Sequence, residues 1–279
     1  MTQLTTLLLA VDASPYAEAA ARYAAFFSQR LRLPLAALHV LDSRATGEPA
    51  PLELGLGDTT LLTPSFDASV QEVLQAHADE VQTRTDALLR SLGVGAEVEV
   101  AVGLPAAEVL ARAGPQTLSV LGKEGEAAEP SGPPRLGSVA ERVVRRAQGA
   151  VLLSPRQFSE PRRVLLGYDG SWGAEAALEY TLTLAGRLKL PVLALNAHDD
   201  EATAQAQLGA VRSRAEREGL RLTTEYRYGD PAEAILSATR EDDVIAIGAF
   251  ETGRLAEFFR GSTTASVVRR ANVPVLLHH

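Results

Sequence analysis

Residues 137–153 read GSVAERVVRRAQGAVLL, and residues 261–277 read GSTTASVVRRANVPVLL. Ten positions match at one constant offset. Gly137-Ser138 answers Gly261-Ser262, Val143 through Ala147 answers Val267 through Ala271, and Val151 through Leu153 answers Val275 through Leu277. Such agreement marks an internal repeat, which decides what one structural unit is. Upstream, Val11-Asp12-Ala13-Ser14 answers Tyr168-Asp169-Gly170-Ser171, and Gly103-Leu104-Pro105-Ala106 answers Gly229-Asp230-Pro231-Ala232. The offset changes between these pairs because the first copy carries extra residues after Asp42. The segment 43–66, with Gly47, Pro49, Pro51, Gly55, Gly57 and Pro64, reads as that insertion, either a lid or a surface loop. Pro155 and Pro161 mark a linker near 154–163, so two domains are expected, 1–156 and 162–279.

Each copy alternates strand and helix patterns. Thr6–Asp12 is a short apolar run, as a strand buried on both faces requires. Ser14 is placed to cap the following helix, with Pro15 at its first position and Glu18 in its first turn. That helix runs toward Leu33 through Ala19, Ala20, Tyr23, Ala24 and Phe27. A strand at Leu35–Leu41, a long helix over roughly Asp67–Leu92, and a strand at Val98–Val102 come next. Helix Pro105–Arg112, strand Leu118–Gly122, helix Ser138–Ala147 and strand Ala150–Leu153 close the first copy. The second copy repeats the order from Val164–Asp169, through helices Ser171–Leu190, Glu201–Glu218, Pro231–Thr239 and Thr263–Arg270. Its other strands are Val192–Ala197, Leu222–Tyr228, Val244–Gly248 and Val273–Leu277. Strict alternation predicts an α/β fold: two tandem, doubly wound, open parallel sheets of five strands each, Rossmann-like, with the ligand crevice at the strands' C-terminal edge.

Composition narrows the function. The 279 residues are 46% hydrophobic, ample for buried cores, and the net charge of −8 argues against a general nucleic-acid binder. Without cysteine there is no thiolate or disulfide chemistry. The N-terminus lacks a basic leader and no apolar run approaches a membrane span, so a cytoplasmic protein that does not engage membranes is expected. Lysine occurs only at Lys123 and Lys189, and the Gly-x4-Gly-Lys-Ser/Thr loop of P-loop ATPases is absent. The five histidines form no helical i, i+4 pair, which leaves any metal site unassigned. Arg145-Arg146 and Arg269-Arg270 fall in the last turns of helices, where the macrodipole favours cations, and Trp172 reads as a packing residue.

The segment after the fourth strand carries the chemistry. Gly122-Lys123-Glu124-Gly125 leads to Gly137-Ser138 at the start of a helix. Glycines let backbone approach a ligand, and a helix N-terminus offers unpaired N–H groups that hold phosphate without lysine. Ser138 adds a hydroxyl, and Arg135 is either a phosphate contact or a solvated surface residue.

This Gly-x2-Gly…Gly-Ser pattern resembles the ATP-binding motif of the universal stress protein family. The early Asp-x-Ser, His39-Val40 at the end of the second strand, and Gly-x-Pro before a short helix resemble it too. The likeness covers both copies apart from 43–66. It implies an ATP site at Ala10, Val11, Asp12, Val40, Leu121, Gly122, Gly125, Gly137, Ser138 and Val139, with Mg²⁺ able to bridge phosphates and a carboxylate. It also implies that the halves form an internal pseudo-dimer, pairing Val151–Leu153 with Val275–Leu277 across an approximate two-fold axis, with a further homo-oligomer or protein partner open.

Both copies depart from the pattern. Eleven residues rather than nine separate Gly125 from Gly137, the excess lying within Glu126–Leu136. In the second copy the spacing holds, but Glu251 replaces the second glycine and would repel phosphate. A weaker second site is therefore expected at Asp169, Ala197, Gly248, Gly261, Ser262 and Thr263. Asp12 and Asp169 either contact a nucleoside or only satisfy backbone N–H groups in their turns. The leading expectation is a regulatory protein that uses nucleotide occupancy as a stress signal, with little or no hydrolysis. The alternative is a nucleotide-free interaction scaffold.

Overall fold

The inner strands of this protein are apolar on both sides, so they must be covered from both sides by helices, while the edge strands Val98–Gly103 and Leu222–Arg227 mix polar and apolar residues. The computed structural model describes residues 4–46, 68–126, 135–249 and 263–278. In the first half, β1 (Thr6–Val11), α1 (Ala17–Leu31), β2 (Leu35–Asp42) and α2 (Ser43–Thr46) lead to α3 (Ala68–Ser91). β3 (Val98–Gly103), α4 (Pro105–Arg112), β4 (Thr117–Gly122), α5 (Ser138–Arg146) and β5 (Val151–Ser154) complete it. The second half comprises β6 (Arg163–Gly167), α6 (Trp172–Leu188), β7 (Val192–Ala197), α7 (Glu201–Arg217) and β8 (Leu222–Arg227). It closes with α8 (Pro231–Ala238), β9 (Asp243–Gly248), α9 (Thr263–Arg270) and β10 (Val275–His278). Of the segment 43–66 only α2 is described, and the remainder lies outside the described residues.

Strand order is β3-β2-β1-β4-β5-β10-β9-β6-β7-β8. Within each half all neighbours are parallel, and the first strand sits between the second and fourth. The two expected five-stranded sheets are joined edge to edge by the antiparallel pair β5/β10, in which Leu152 faces Leu276. Pairing there leaves neither last strand as an open edge.

Alternation along each strand divides the core into two layers. Leu7, Leu9, Val120, Leu152, Leu166 and Leu276 face α1, α3, α6 and α7, whereas Leu8, Leu121, Leu153, Leu165 and Leu277 face α4, α5, α8 and α9. Each layer contains residues of both halves, so the apolar contact runs unbroken across the seam.

Two expectations need correction. Ser171 caps α6 as its counterpart was expected to cap α1, accepting from the Ala174 N–H at 3.2 Å. In the first half Ser14-Pro15 instead closes a turn, with the Ala17 N–H donating to Ser14 O at 3.1 Å, and α1 starts only at Ala17. Pro15 occupies the second position of that turn, which its fixed φ favours. Trp172 does not pack inside: it is 68% exposed at the start of α6.

A polar tie also crosses the seam. Lys123 follows β4, yet its Nζ donates to Arg269 O and Ala271 O, each at 3.0 Å, at the C-terminal end of α9. There it satisfies carbonyls that a helix end leaves open and meets the negative end of the dipole. Burial pushes its ammonium pKa down. Lys123→Met keeps the length but leaves those carbonyls unpaired. We expect a loss of about 1–3 kcal/mol, read as a lower midpoint in a single denaturant transition; an unchanged midpoint would show that the tie does not hold the halves.

Candidate functional site

The chain leaves β1 for α1 on one face of the sheet and β4 for α5 on the other. Between these adjacent parallel strands the backbone diverges, and a doubly wound sheet opens a crevice at such a point. Here it is a cleft of about 470 Å³, a size suited to a small ligand.

Its walls come from several elements. Ala10, Val11 and Asp12 line it from β1, Val40 from β2, and Leu121 and Gly122 from β4. Gly125 follows β4, while Gly137, Ser138 and Val139 open α5. All ten first-half candidates thus meet in one cleft. The structure adds residues the sequence did not single out: His77 and Leu74 of α3, Arg44 of α2, Pro105 and Val109 of α4, and Glu124. Leu74 and His77 stand one helical turn apart, but no local pattern says which face of a long helix meets a crevice. Arg44 fell within the stretch read as an insertion.

Two glycines are demanded by the protein's own packing. A Cβ on Gly122 would lie 2.7 Å from the Cβ of Tyr16, and one on Gly137 would lie 3.2 Å from Gly125 N. The loop is therefore folded tightly onto the end of β1, and Gly137 N donates to Lys123 O at 2.9 Å. No side chain caps α5, whose first turn borders the cleft, so its amides retain the capacity to hold an anion.

Polar groups at the rim are mostly engaged. The Asp12 carboxylate accepts the Ser14 N–H at 3.0 Å, Glu126 accepts the Ala13 N–H at 2.9 Å, and Glu124 accepts the Tyr16 hydroxyl at 2.9 Å. Burial raises the Asp12 pKa against the lowering effect of its Ser14 bonds. Burial and the adjoining Glu124 carboxylate push the Tyr16 hydroxyl up to about 12, so it remains a donor. Arg44 pairs with Asp42 and holds its carboxyl below the usual range. His39 is buried with Nδ1 2.9 Å from Val11 O. That contact places a proton on Nδ1, while Nε2 is buried without a hydrogen-bond partner among the described residues. Among the described residues no group of three side chains could hold a metal.

The second half is different. Asp169 accepts the Ser171 N–H at 2.9 Å, as Asp12 does with Ser14. Above it lies Gln207 of α7, donating to Asp169 O at 2.9 Å and accepting from Asn196 at 2.6 Å. Gly170, at φ +76°, is required there: a Cβ would lie 2.5 Å from Gln207 Nε2. Ala197 ends β7, buried, and Gly248 packs on α6, with a Cβ position 2.6 Å from Gly173 C. Thr263 opens α9, and Thr264 donates to Gly248 O at 3.2 Å. Gly261, Ser262 and Glu251 lie outside the described residues, as do Pro130, Gly132, Pro133 and Pro134 of the first-half loop.

Comparison with known proteins shows the family of the chain. The model of the universal stress protein family matches residues 4–155 and again residues 160–279. Universal stress protein Slr1230 of Synechocystis is 27% identical, over 98% of this chain and 99% of that protein. Universal stress protein Rv2005c of Mycobacterium tuberculosis is 25% identical, over 97% and 96%. The crystal structure of a universal stress protein from Archaeoglobus fulgidus superposes with a TM-score of 0.74 at 22% identity, covering 99% of this chain and 98% of that one; it shares the fold.

The raised pKa of Asp12 gives a signed test. The native state holds this proton more tightly than the unfolded chain, whose value lies near 3.8. Unfolding in that window releases a proton, so the contribution of Asp12 falls as pH rises through it. Asp12→Asn retains the acceptor for Ser14 and removes the buried charge. Its melting temperature should exceed that of the wild type at pH 7, with the gain vanishing toward pH 3. A loss at pH 7 would mean that the ionised carboxylate is itself stabilising.

Proposed function

We propose that this chain, which belongs to the universal stress protein family, binds one adenine nucleotide in its first half and uses occupancy as a signal, with little or no hydrolysis. The observation that carries the reading is the uncapped N-terminus of α5 opening onto the cleft at the β1/β4 divergence. Anion affinity from a helix end needs no lysine. Lys123, the lysine in the loop, is turned away to α9.

The residues fit such a ligand. The α5 amides and the Ser138 hydroxyl would take the phosphates, with Arg135 adding charge at the same rim. The backbone at Val40 would face the base, and Asp12 the nucleoside hydroxyls. His39 Nε2 is a buried ring nitrogen beside them that no group among the described residues engages. With no metal-ligating group of three among the described residues, Mg²⁺ would arrive with the phosphates rather than on a site of its own. Slow turnover agrees with the state of the nearby carboxylates: Glu124 and Glu126 are both held by donors of the protein. A general base must reach the water it activates.

Gln207 supports a single site, since it covers the end of β6 where the second nucleoside would lie. A cytoplasmic location belongs to the same proposal; among the described residues no helix is long and apolar enough to cross a membrane. The scaffold reading keeps one observation in its favour. Asp12, Asp42, Glu124 and Glu126 all line the cleft and disfavour a polyanion.

Calorimetry with ATP decides between them. Binding of one nucleotide per chain is expected. Gly125→Glu should abolish it, while Ser138→Ala should weaken it by about three- to tenfold, the worth of one hydrogen bond. Neither heat nor a thermal shift at millimolar ATP would establish the scaffold reading instead.

A further inference from the structure

The spacing that relates Asp12 to Asp169 also relates Tyr23 of α1 to Tyr180 of α6, and Arg30 to Arg187. The two tyrosines are nevertheless treated differently. Beyond β5 the chain runs over α1. There Phe158 packs on Tyr23 with ring centroids 4.7 Å apart, the Ser159 N–H donates to the Tyr23 hydroxyl at 3.1 Å, and Glu160 pairs with Arg30 at 2.9 Å. Three successive residues thus meet an aromatic ring, a hydroxyl and a guanidinium.

On α6, among the described residues, only the ring is matched, by His278; no donor meets the Tyr180 hydroxyl and no carboxylate pairs with Arg187. The Tyr180 hydroxyl is buried without a hydrogen-bond partner. It borders a groove of about 370 Å³, lined also by Trp172, Arg187, His278 and Arg214. Arg214 pairs with the Glu175 and Glu179 carboxylates of the same rim, so among the described residues Arg187 is the cation left for a ligand. His278 stacks on the Tyr180 ring at 4.7 Å, while Trp172 stands 68% exposed at the groove's end. Arg187 donates to Leu31 O and Leu4 O, so the groove continues into the contact between the halves. Two bonds leave the guanidinium with donors to spare. A buried hydroxyl without a partner is costly, and an aromatic rim beside a cation is the usual make-up of a recognition surface.

We infer that this groove along α6 docks an extended segment of a partner protein carrying an aromatic residue two positions before an acidic one, seated as Phe158-Ser159-Glu160 is seated on α1. The aromatic ring lies against the Trp172–His278 rim. The next main-chain N–H donates to the Tyr180 hydroxyl, and the carboxylate meets Arg187. The internal copy on α1 and the charge of Arg187 argue for this occupant. The inference goes beyond the nucleotide reading and stands whether or not the first-half cleft binds its ligand.

The probe is the synthetic heptapeptide PRQFSEP, which repeats residues 155–161. Trp172 is the chain's single tryptophan and lines the groove, so its emission reports occupancy directly. Without the effective concentration that a covalent connection gives the linker, affinity in the high micromolar range is expected. Emission should shift saturably with this peptide and not with PRQASEP. Tyr180→Phe and Arg187→Gln should each weaken binding about three- to tenfold. Without peptide, Tyr180→Phe should raise the melting temperature, whereas Tyr23→Phe should lower it. A non-saturable shift, equal response to the two peptides, or a lowered melting temperature in Tyr180→Phe would overturn the inference.

Discussion

Three residues of β5 facing three of β10 hold this molecule in its form. Without that antiparallel contact each half would present an open parallel edge, made of Val151–Leu153 or Val275–Leu277 and apolar on both sides. With it, the helical layers above and below the sheet merge across the join, so the apolar surface buried at the seam belongs to neither half alone. Lys123 reinforces the contact from within the glycine loop, and Arg187 does so from α6. The loop that borders the cleft is thereby braced by the opposite half, through a lysine whose backbone also bonds β5 and the start of α5.

The two copies agree in fold and differ at the ends of their first strands. Both keep the Asp-x-Ser turn, and in both the second residue beyond the aspartate donates its N–H to the carboxylate. Above the turn they diverge. His39 holds the Val11 carbonyl beside an open cleft, and Asn196, at the corresponding position, binds Gln207, which closes over Asp169. Gln207 of α7 thus occupies the space over the Asp169 turn, a contact the sequence did not point to.

Much of the fold was legible because it is written in periodicity. Repeated Val-Val-Arg-Arg-Ala, apolar runs of strand length and turn residues at matched positions set the strand and helix order, while the pairing at the seam followed from the family resemblance. The ten candidate residues came from the family resemblance too; they share one cleft because nearly all sit at a strand end or a helix start. Contacts that depend on a helix face were not legible: His77 and Leu74 on α3, Gln207 on α7, and Tyr180 on α6 occupy ordinary amphipathic positions. Nor did sequence reveal that Pro15 would divert Ser14 from a cap into a turn, since Ser-Pro suits both. The exposure of Trp172 was equally hidden, because the start of a helix carries no local mark of which side is covered.

The covalent link between the halves has a consequence for how such a protein behaves in a cell. Two identical subunits that associate through their last strands separate on dilution, and symmetry obliges them to change together. Here the partners travel on one chain, so their association is independent of expression level. A mutation also strikes one copy at a time. Such a molecule lets its two halves diverge separately, and Gln207 lying over Asp169 in one half, with no counterpart over Asp12 among the described residues of the other, is what divergence looks like in atoms.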